Sequence, residues 1–119
     1  MTVRRQLLGR RGETAAVEYL LQKGYKIILQ NFRCYLGEID IIAKEGDTII
    51  FVEVRARSTD SFGLPQESVS IKKQNRLRKL AQYYISKFSI SDSCRFDVLG
   101  IMFEANGRIK SIEHFINAF

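Results

Sequence analysis

The 119-residue chain is poor in the residues on which several classes of protein depend. A single histidine, His114, cannot build the multi-histidine sites typical of zinc enzymes. No G-x-S-x-G elbow accompanies it, so a serine-type triad has no nucleophile, and His114 is expected to be structural or superficial. The two cysteines, Cys34 and Cys94, lie far apart without C-x-x-C spacing. That spacing argues against a disulfide framework and a cysteine zinc site, and both are expected to be plain packing residues. One proline is too few for a low-complexity or disordered chain. No uninterrupted apolar run exceeds Ile49 to Val52, far short of the roughly 20 residues of a membrane span or the about 7–15 of a signal peptide. A cytoplasmic protein with no membrane attachment is expected.

What is present describes a folded globular chain. Hydrophobic residues make up 45% and charged residues 27%, and the length suits one domain over residues 1–119. Lys and Arg number 19 against 13 Asp and Glu, a formal charge of +6, which favours polyanions without identifying one. The distribution says more. Arg4, Arg5, Arg10 and Arg11 fall near the start with no acid among them, and Lys72, Lys73, Arg76, Arg78 and Lys79 crowd one short stretch. The second cluster reads either as a track for a phosphate backbone or as the solvated face of an amphipathic helix.

Periodicity supplies the elements. Leu8, Gly12, Ala15, Ala16, Tyr19 and Leu20 recur at spacings of three and four, predicting a helix from Leu7 to Lys23 stopped by Gly24. The β-prone run Ile27-Ile28-Leu29 predicts a short strand within Lys26 to Arg33, ending near Asn31. Gly37 to Arg57 reads as two alternating strands around a turn at Glu45-Gly46-Asp47. Ala56 to Ser70, with Gly63 and Pro65, reads as a loop. Leu77, Leu80, Ala81, Tyr84, Ile85 and Phe88 predict a second amphipathic helix over Ile71 to Phe88. Two strands, Arg95 to Phe103 and Arg108 to Phe115, follow around Asn106-Gly107. The expected order is α-β-β-β-α-β-β.

Strand period two sets Glu38 and Asp40 on one face of their strand, with Ile39 and Ile41 on the other, and gives Glu53 and Arg55 a common face. A two-residue Gly46-Asp47 turn would oppose positions summing to 93, bringing Asp40 to Glu53. Opposed carboxylates repel unless a cation lies between them. Two arrangements satisfy that need. Arg33, Arg55 or Arg57 forms ordinary surface ion pairs with the acids, or a divalent Mg²⁺ or Mn²⁺ takes their hard oxygens.

The string GRRGETAAVEYLLQKGYKIILQNFR, followed by GEIDIIA, IIFVEVRAR, FGLPQESV, the Lys72-Lys73 helix start, RFDVLGI and a closing INAF, resembles the YraN-like family of small bacterial proteins. The match runs from Gly9 to Phe119. The resemblance implies an α/β fold with a restriction-endonuclease-like, PD-(D/E)xK core: a mixed central sheet flanked by helices, similar in layout to archaeal Holliday junction resolvases. Carried over by position, Glu13 corresponds to the helix-one acid, Asp40 to the motif aspartate, and Glu53-Val54-Arg55 to the E-x-K element. Arg55 departs from that pattern, because lysine is typical there and arginine stays protonated and cannot serve as a general base.

The implied activity is metal-dependent hydrolysis of phosphodiester bonds in DNA, branched DNA included. Asp40, Glu53 and Glu13 would hold Mg²⁺ or Mn²⁺, and Arg55 would steady the phosphoryl oxygens. Arg57, Gln66, Lys72, Lys73 and Arg76 would contact the nucleic acid. A homodimer is compatible with this reading, since junction-cleaving relatives act in pairs. The alternatives are a non-catalytic nucleic-acid-binding module on the same fold, which Arg55 favours, and an interaction protein whose acids are merely structural.

Overall fold

Apolar residues at helical and strand spacing assemble into two helices and five strands. The computed structural model describes residues 3–59 and 69–119, with side chains from residue 6 onward. In chain order the elements are α1 (Val3–Gln22), β1 (Lys26–Cys34), β2 (Gly37–Glu45), β3 (Thr48–Ser58), α2 (Ile71–Lys87), β4 (Ser93–Phe103) and β5 (Ile109–Phe115). The order is the one expected from periodicity. Helix α1 starts earlier than predicted, and β1 continues through Asn31, which adopts a φ of 56° within the strand. Most of the predicted Ala56–Ser70 loop, Gln66 included, lies outside the described residues. Ala56 to Ser58 belong to β3 instead, because its ladder with β4 continues as far as Ser58 opposite Phe103.

The strands form one sheet in the order β1-β2-β3-β4-β5. β1, β2 and β3 are antiparallel neighbours, β3 and β4 are parallel, and β5 returns antiparallel to β4. A parallel pair needs a crossover, and α2 lies between β3 and β4 in the chain. Central β3 is covered on both faces, so Ile49 to Glu53 are all buried and the simple alternation read from the sequence does not hold there. The hairpin register is the predicted one: Glu45 pairs with Thr48 and Ile41 with Val52, around a turn whose first residue, Gly46, has a φ of 57°.

Two cores result. α1 contributes Ala15, Ala16 and Leu20 against Ile41, Ala43, Ile50, Val52, Leu99 and Ile101. On the other face α2 contributes Leu77, Leu80, Ala81 and Tyr84 against Ile39, Ile42, Ile49, Phe51 and Val98. Each fully buried leucine, such as Leu20 or Leu80, contributes about 1.5–3 kcal/mol by removal from water. Phe88, placed on this face by its spacing, remains half exposed beside the Tyr84 ring. Cys34 packs at the edge of the α2 core, but Cys94 is exposed and is not the packing residue expected, because it opens β4 outside both helices.

α1 lies very close to β3. A Cβ on Gly12 would sit 2.7 Å from the Cβ of Ala56, an atom attached directly to backbone that cannot swing aside. Gly12→Ala is therefore expected to lower stability by about 1–2 kcal/mol, although alanine is the better helix former by about 1 kcal/mol. Thermal denaturation checks the sign: a variant more stable than the native chain would show that the helix can retreat freely.

Candidate active site

β2 changes its facing at Asp40. Ile41 enters the α1 core while Ile39 enters the α2 core, so residues two apart, expected on one face, point to opposite faces. The β2–β3 pairing ends at Ile41 and Val52, one step short of Asp40 and Glu53. In place of the next ladder bond, the Val54 backbone N–H donates to Asp40 Oδ2 at 2.8 Å. On the other side, Gln30 pairs with Ile41 and Phe32 with Ile39, leaving left-handed Asn31 as the residue between them beside Asp40. The side chain of Asp40 thus does backbone work at a break in the sheet.

Four acids meet at this break. Carboxylate oxygens of Glu13, Glu38 and Asp40 all lie within 4.8 Å of one another. Glu53 lies against Asp40 and shares a hydrogen bond with it. Burial raises the Asp40 carboxyl to about 8, helped by that hydrogen bond and by the charge of Glu53, and opposed by the Val54 N–H. Glu13 is also raised, first by burial; a hydrogen bond with Asn31 and the charge of Arg33 oppose the rise, while Glu38 and Glu53 add to it. Glu13, Glu38, Asp40 and Glu53, the acids that the sequence directs to one site, therefore stand in one electrostatic unit.

The cations follow the sequence expectation at Arg33 and depart from it at Glu53. Lys73 enters from the first turn of α2, with Nζ 2.6 Å from Glu53 Oε2. That oxygen is buried, and the contact is a close ion pair. Arg33 Nε lies 3.2 Å from Glu38 Oε2. Arg55 and Arg57 follow Glu53 at two-residue spacing on the same face of β3, both half-buried. Among the described residues no ion pair holds Arg55, while Arg57 donates to the Ala56 carbonyl. Lys72 and Arg76 are exposed on α2.

A family model described as "Uncharacterised protein family UPF0102" matches residues 12–101, which span Glu13, Asp40, Glu53 and Lys73. The chain belongs to this family. It is 50% identical over 116 residues to a UPF0102 protein of Pelotomaculum thermopropionicum, with 97% of each chain covered. A UPF0102 protein of Moorella thermoacetica is 46% identical over the whole of both chains. One from Thermodesulfovibrio yellowstonii is 51% identical over 112 residues, covering 94% of this chain and 95% of the relative. Membership agrees with the YraN-like resemblance carried by the sequence motifs.

Within this UPF0102 fold, two features of the site escaped sequence reasoning. Lys73 was legible only as a backbone-tracking cation, because nothing in the order of residues says that the start of α2 folds over the end of β3. Asn31 was legible only as a strand end; the missed signal was an asparagine inside a β-prone run, since Asn tolerates the left-handed backbone that it adopts here, with a φ of 56°. Cys94, Cys34 and His114 take no part. His114 is structural, as expected, donating from Nε2 to Asp97 Oδ2 and accepting at Nδ1 from the Tyr19 hydroxyl. Among the described residues no helix is long and apolar enough to cross a membrane.

Proposed function

We propose that this UPF0102 chain is a metal-dependent phosphodiesterase acting on nucleic acid, DNA above all, on a restriction-endonuclease-like core. One observation carries the reading: four carboxylates converge at a break in the sheet, and among the described residues two cations, Lys73 and Arg33, pair with them. Full ionisation leaves two negative charges uncompensated, the deficit that one divalent cation offsets. Surface ion pairing does not account for this, because Glu53 is buried against half-buried Asp40, and its charge raises the Asp40 carboxyl.

The donor set fits the cation. Every group is a hard carboxylate oxygen, with neither imidazole nor thiolate nearby, which suits Mg²⁺ or Mn²⁺ and disfavours zinc. Asp40, Glu13 and Glu38 offer three oxygens close together, and Glu53 lies against Asp40 beside them. The chemistry that Mg²⁺ or Mn²⁺ supplies at such a centre is Lewis-acid polarisation of a phosphoryl oxygen together with acidification of water.

The chain's own residues supply the rest. Asp40 is held in place through Val54 N–H, and Lys73 fixes the orientation of Glu53. Arg55, permanently charged and without an ion-pair partner among the described residues, can bind two oxygens of one phosphate through its planar fork. Lysine, typical at the Arg55 position in the superfamily pattern, is matched here by an ammonium arriving from α2. The second reading, a binding module without turnover, rests on that same Arg55.

The test is incubation of linear, nicked and four-way-junction DNA with the protein in Mn²⁺ or in chelator, beside Glu53→Ala. Cleavage is expected in Mn²⁺ alone and should fall at least about 100-fold in the variant, the scale of losing a transition-state electrostatic contact. Cleavage that persists in chelator or in Glu53→Ala overturns the mechanism. Salt-sensitive binding with no cleavage by the native protein selects the module without turnover.

A further inference from the structure

α2 carries six cations, Lys72, Lys73, Arg76, Arg78, Lys79 and Lys87, and no acid. An ordinary solvated helix mixes signs so that residues four apart neutralise each other. Here nothing on the helix balances the charge. Lys72, Arg76, Lys79, Tyr83 and Lys87 recur at spacings of four, three, four and four, which places them in one stripe along its length. The stripe spans about 22 Å at 1.5 Å per residue and starts beside Lys73, the residue that reaches Glu53.

The stripe runs into a groove of about 620 Å³ between α2 and the β1–β2 turn. Tyr35, Lys79, Tyr83 and Lys87 line it. Tyr35 is 84% exposed and meets Tyr83 edge to face, with ring centroids 5.9 Å apart. Lys87 Nζ stands 5.8 Å from the Tyr83 ring. The turn that presents Tyr35 lies near the helix: a Cβ on Gly37 would sit 3.5 Å from a Leu80 side-chain carbon and 3.6 Å from one of Arg76. Fold stability does not require so large an aromatic surface in water.

Cations in series beside the open ring of Tyr35 and the half-buried ring of Tyr83, which packs on Phe32, match one ligand chemistry: a phosphate backbone with unpaired bases. A duplex keeps its bases stacked inside and offers the tyrosines nothing, whereas unpaired bases of any sequence stack on an aromatic face. We propose that the groove between α2 and the β1–β2 turn binds a single-stranded DNA segment that leads away from the acidic site, with bases on Tyr35 and Tyr83 and phosphates on Lys72, Arg76, Lys79 and Lys87. This rests on the phosphodiesterase reading only for the purpose of the binding; the binding itself requires no chemistry.

Fluorescence anisotropy in chelator, where cleavage is silent, separates the two. An oligothymidylate of about 20 nucleotides is expected to bind at least about tenfold more tightly than a blunt duplex of equal length. Tyr35→Ala should weaken the single strand about tenfold and the duplex less than about twofold, with Tyr35→Phe retaining native affinity, as stacking demands. Lys79→Ala with Lys87→Ala should flatten the salt dependence of single-strand binding by a slope of about 1.4, two phosphates' worth. Tyr35 makes only an edge contact and is exposed, so its variants should fold normally, which circular dichroism verifies. Unchanged single-strand affinity in Tyr35→Ala, or equal loss on the duplex, overturns the proposal. A failed cleavage assay leaves it standing.

Discussion

Asp40→Asn is expected to abolish Mn²⁺-dependent cleavage, by about 1,000-fold or more, and at the same time to make the metal-free protein more stable above neutral pH. The two effects share one cause. In the folded chain the Asp40 carboxyl titrates near 8 against an ordinary 3.8, raised by burial and by its contact with Glu53. Between those values the native state holds a proton that the unfolded chain has released. Stability therefore falls as pH rises from about 4 to about 8 and levels off above. Asparagine keeps the shape, still accepts from Val54 N–H and can donate to Glu53, but it has nothing to ionise.

The gain at pH 8 should be about 2 kcal/mol, or roughly 8 °C in Tm for a chain of this size. Because the charge of Glu53 and its contact with Asp40 help to raise the Asp40 carboxyl, Glu53→Gln should reproduce part of the same flattening. Mg²⁺ or Mn²⁺ should raise the Tm of the native chain by mass action and leave Asp40→Asn unmoved. Thermal melts across pH 5–9, with and without metal, provide the measurement. An Asn variant that cleaves normally, or one that melts lower than the native chain at pH 8, would remove Asp40 from the role assigned to it. The expected pattern is that of a site whose charges oppose folding and are retained for chemistry.

Asp97→Ala is expected to act in the opposite direction, lowering stability by about 3–5 kcal/mol at pH 7 without touching the acidic site. Asp97 is fully buried in the α1-facing side of β4. Burial alone would push its carboxyl up, but His114, Arg95 and the Asn117 backbone N–H all donate to it and hold it below the ordinary value. Arg95 reaches Oδ1 at 3.0 Å and Oδ2 at 3.1 Å, His114 reaches Oδ2 at 2.7 Å, and Asn117 N reaches Oδ1 at 3.0 Å. Arg95 also donates to the Tyr25 hydroxyl and pairs with Glu45, tying β4 to the start of β1 and the end of β2.

Truncating the carboxylate leaves a largely buried guanidinium without its main counter-charge and frees the C-terminal turn at Asn117. The sign with pH is the reverse of that for Asp40. A depressed carboxyl stabilises the fold above its unfolded value near 3.8, and that contribution is lost as pH falls below it. The difference between native and Asp97→Ala chains should therefore be full at pH 7 and shrink in acid. Denaturant melts at pH 7 and pH 3 test this. A loss below about 1 kcal/mol at pH 7 would mean that the cluster closes over the gap.

The two carboxylates show how differently the sequence spoke. Asp40 was legible because its neighbours alternate and because the Gly46-Asp47 turn dictates which residues oppose it; the observed pairing of Ile41 with Val52 follows that arithmetic. Asp97 also sits in an alternating strand, yet its partners were not legible. His114 is 17 residues away and lies on the next strand, while Tyr19, which completes the histidine's contacts, is 95 residues from it on α1. Period two assigns a side chain to a face of its own strand and is silent about what covers that face.

Element order, the hairpin register and the candidate acids Glu13, Asp40 and Glu53 were determined by the sequence itself. All but Glu13 rest on local rules, turn chemistry and side-chain period; Glu13 rests on the family resemblance. The tertiary structure alone decided that Lys73, rather than Arg55, meets Glu53. It alone split Ile39 and Ile41 between two cores, and it set Tyr35 beside Tyr83. These are meetings between elements distant in sequence, set by how α1 and α2 pack on opposite faces of the sheet. The break at Asp40 belongs with them. It exists because a carboxylate replaced a backbone carbonyl as the acceptor for Val54 N–H, a choice visible only once both strands are in place.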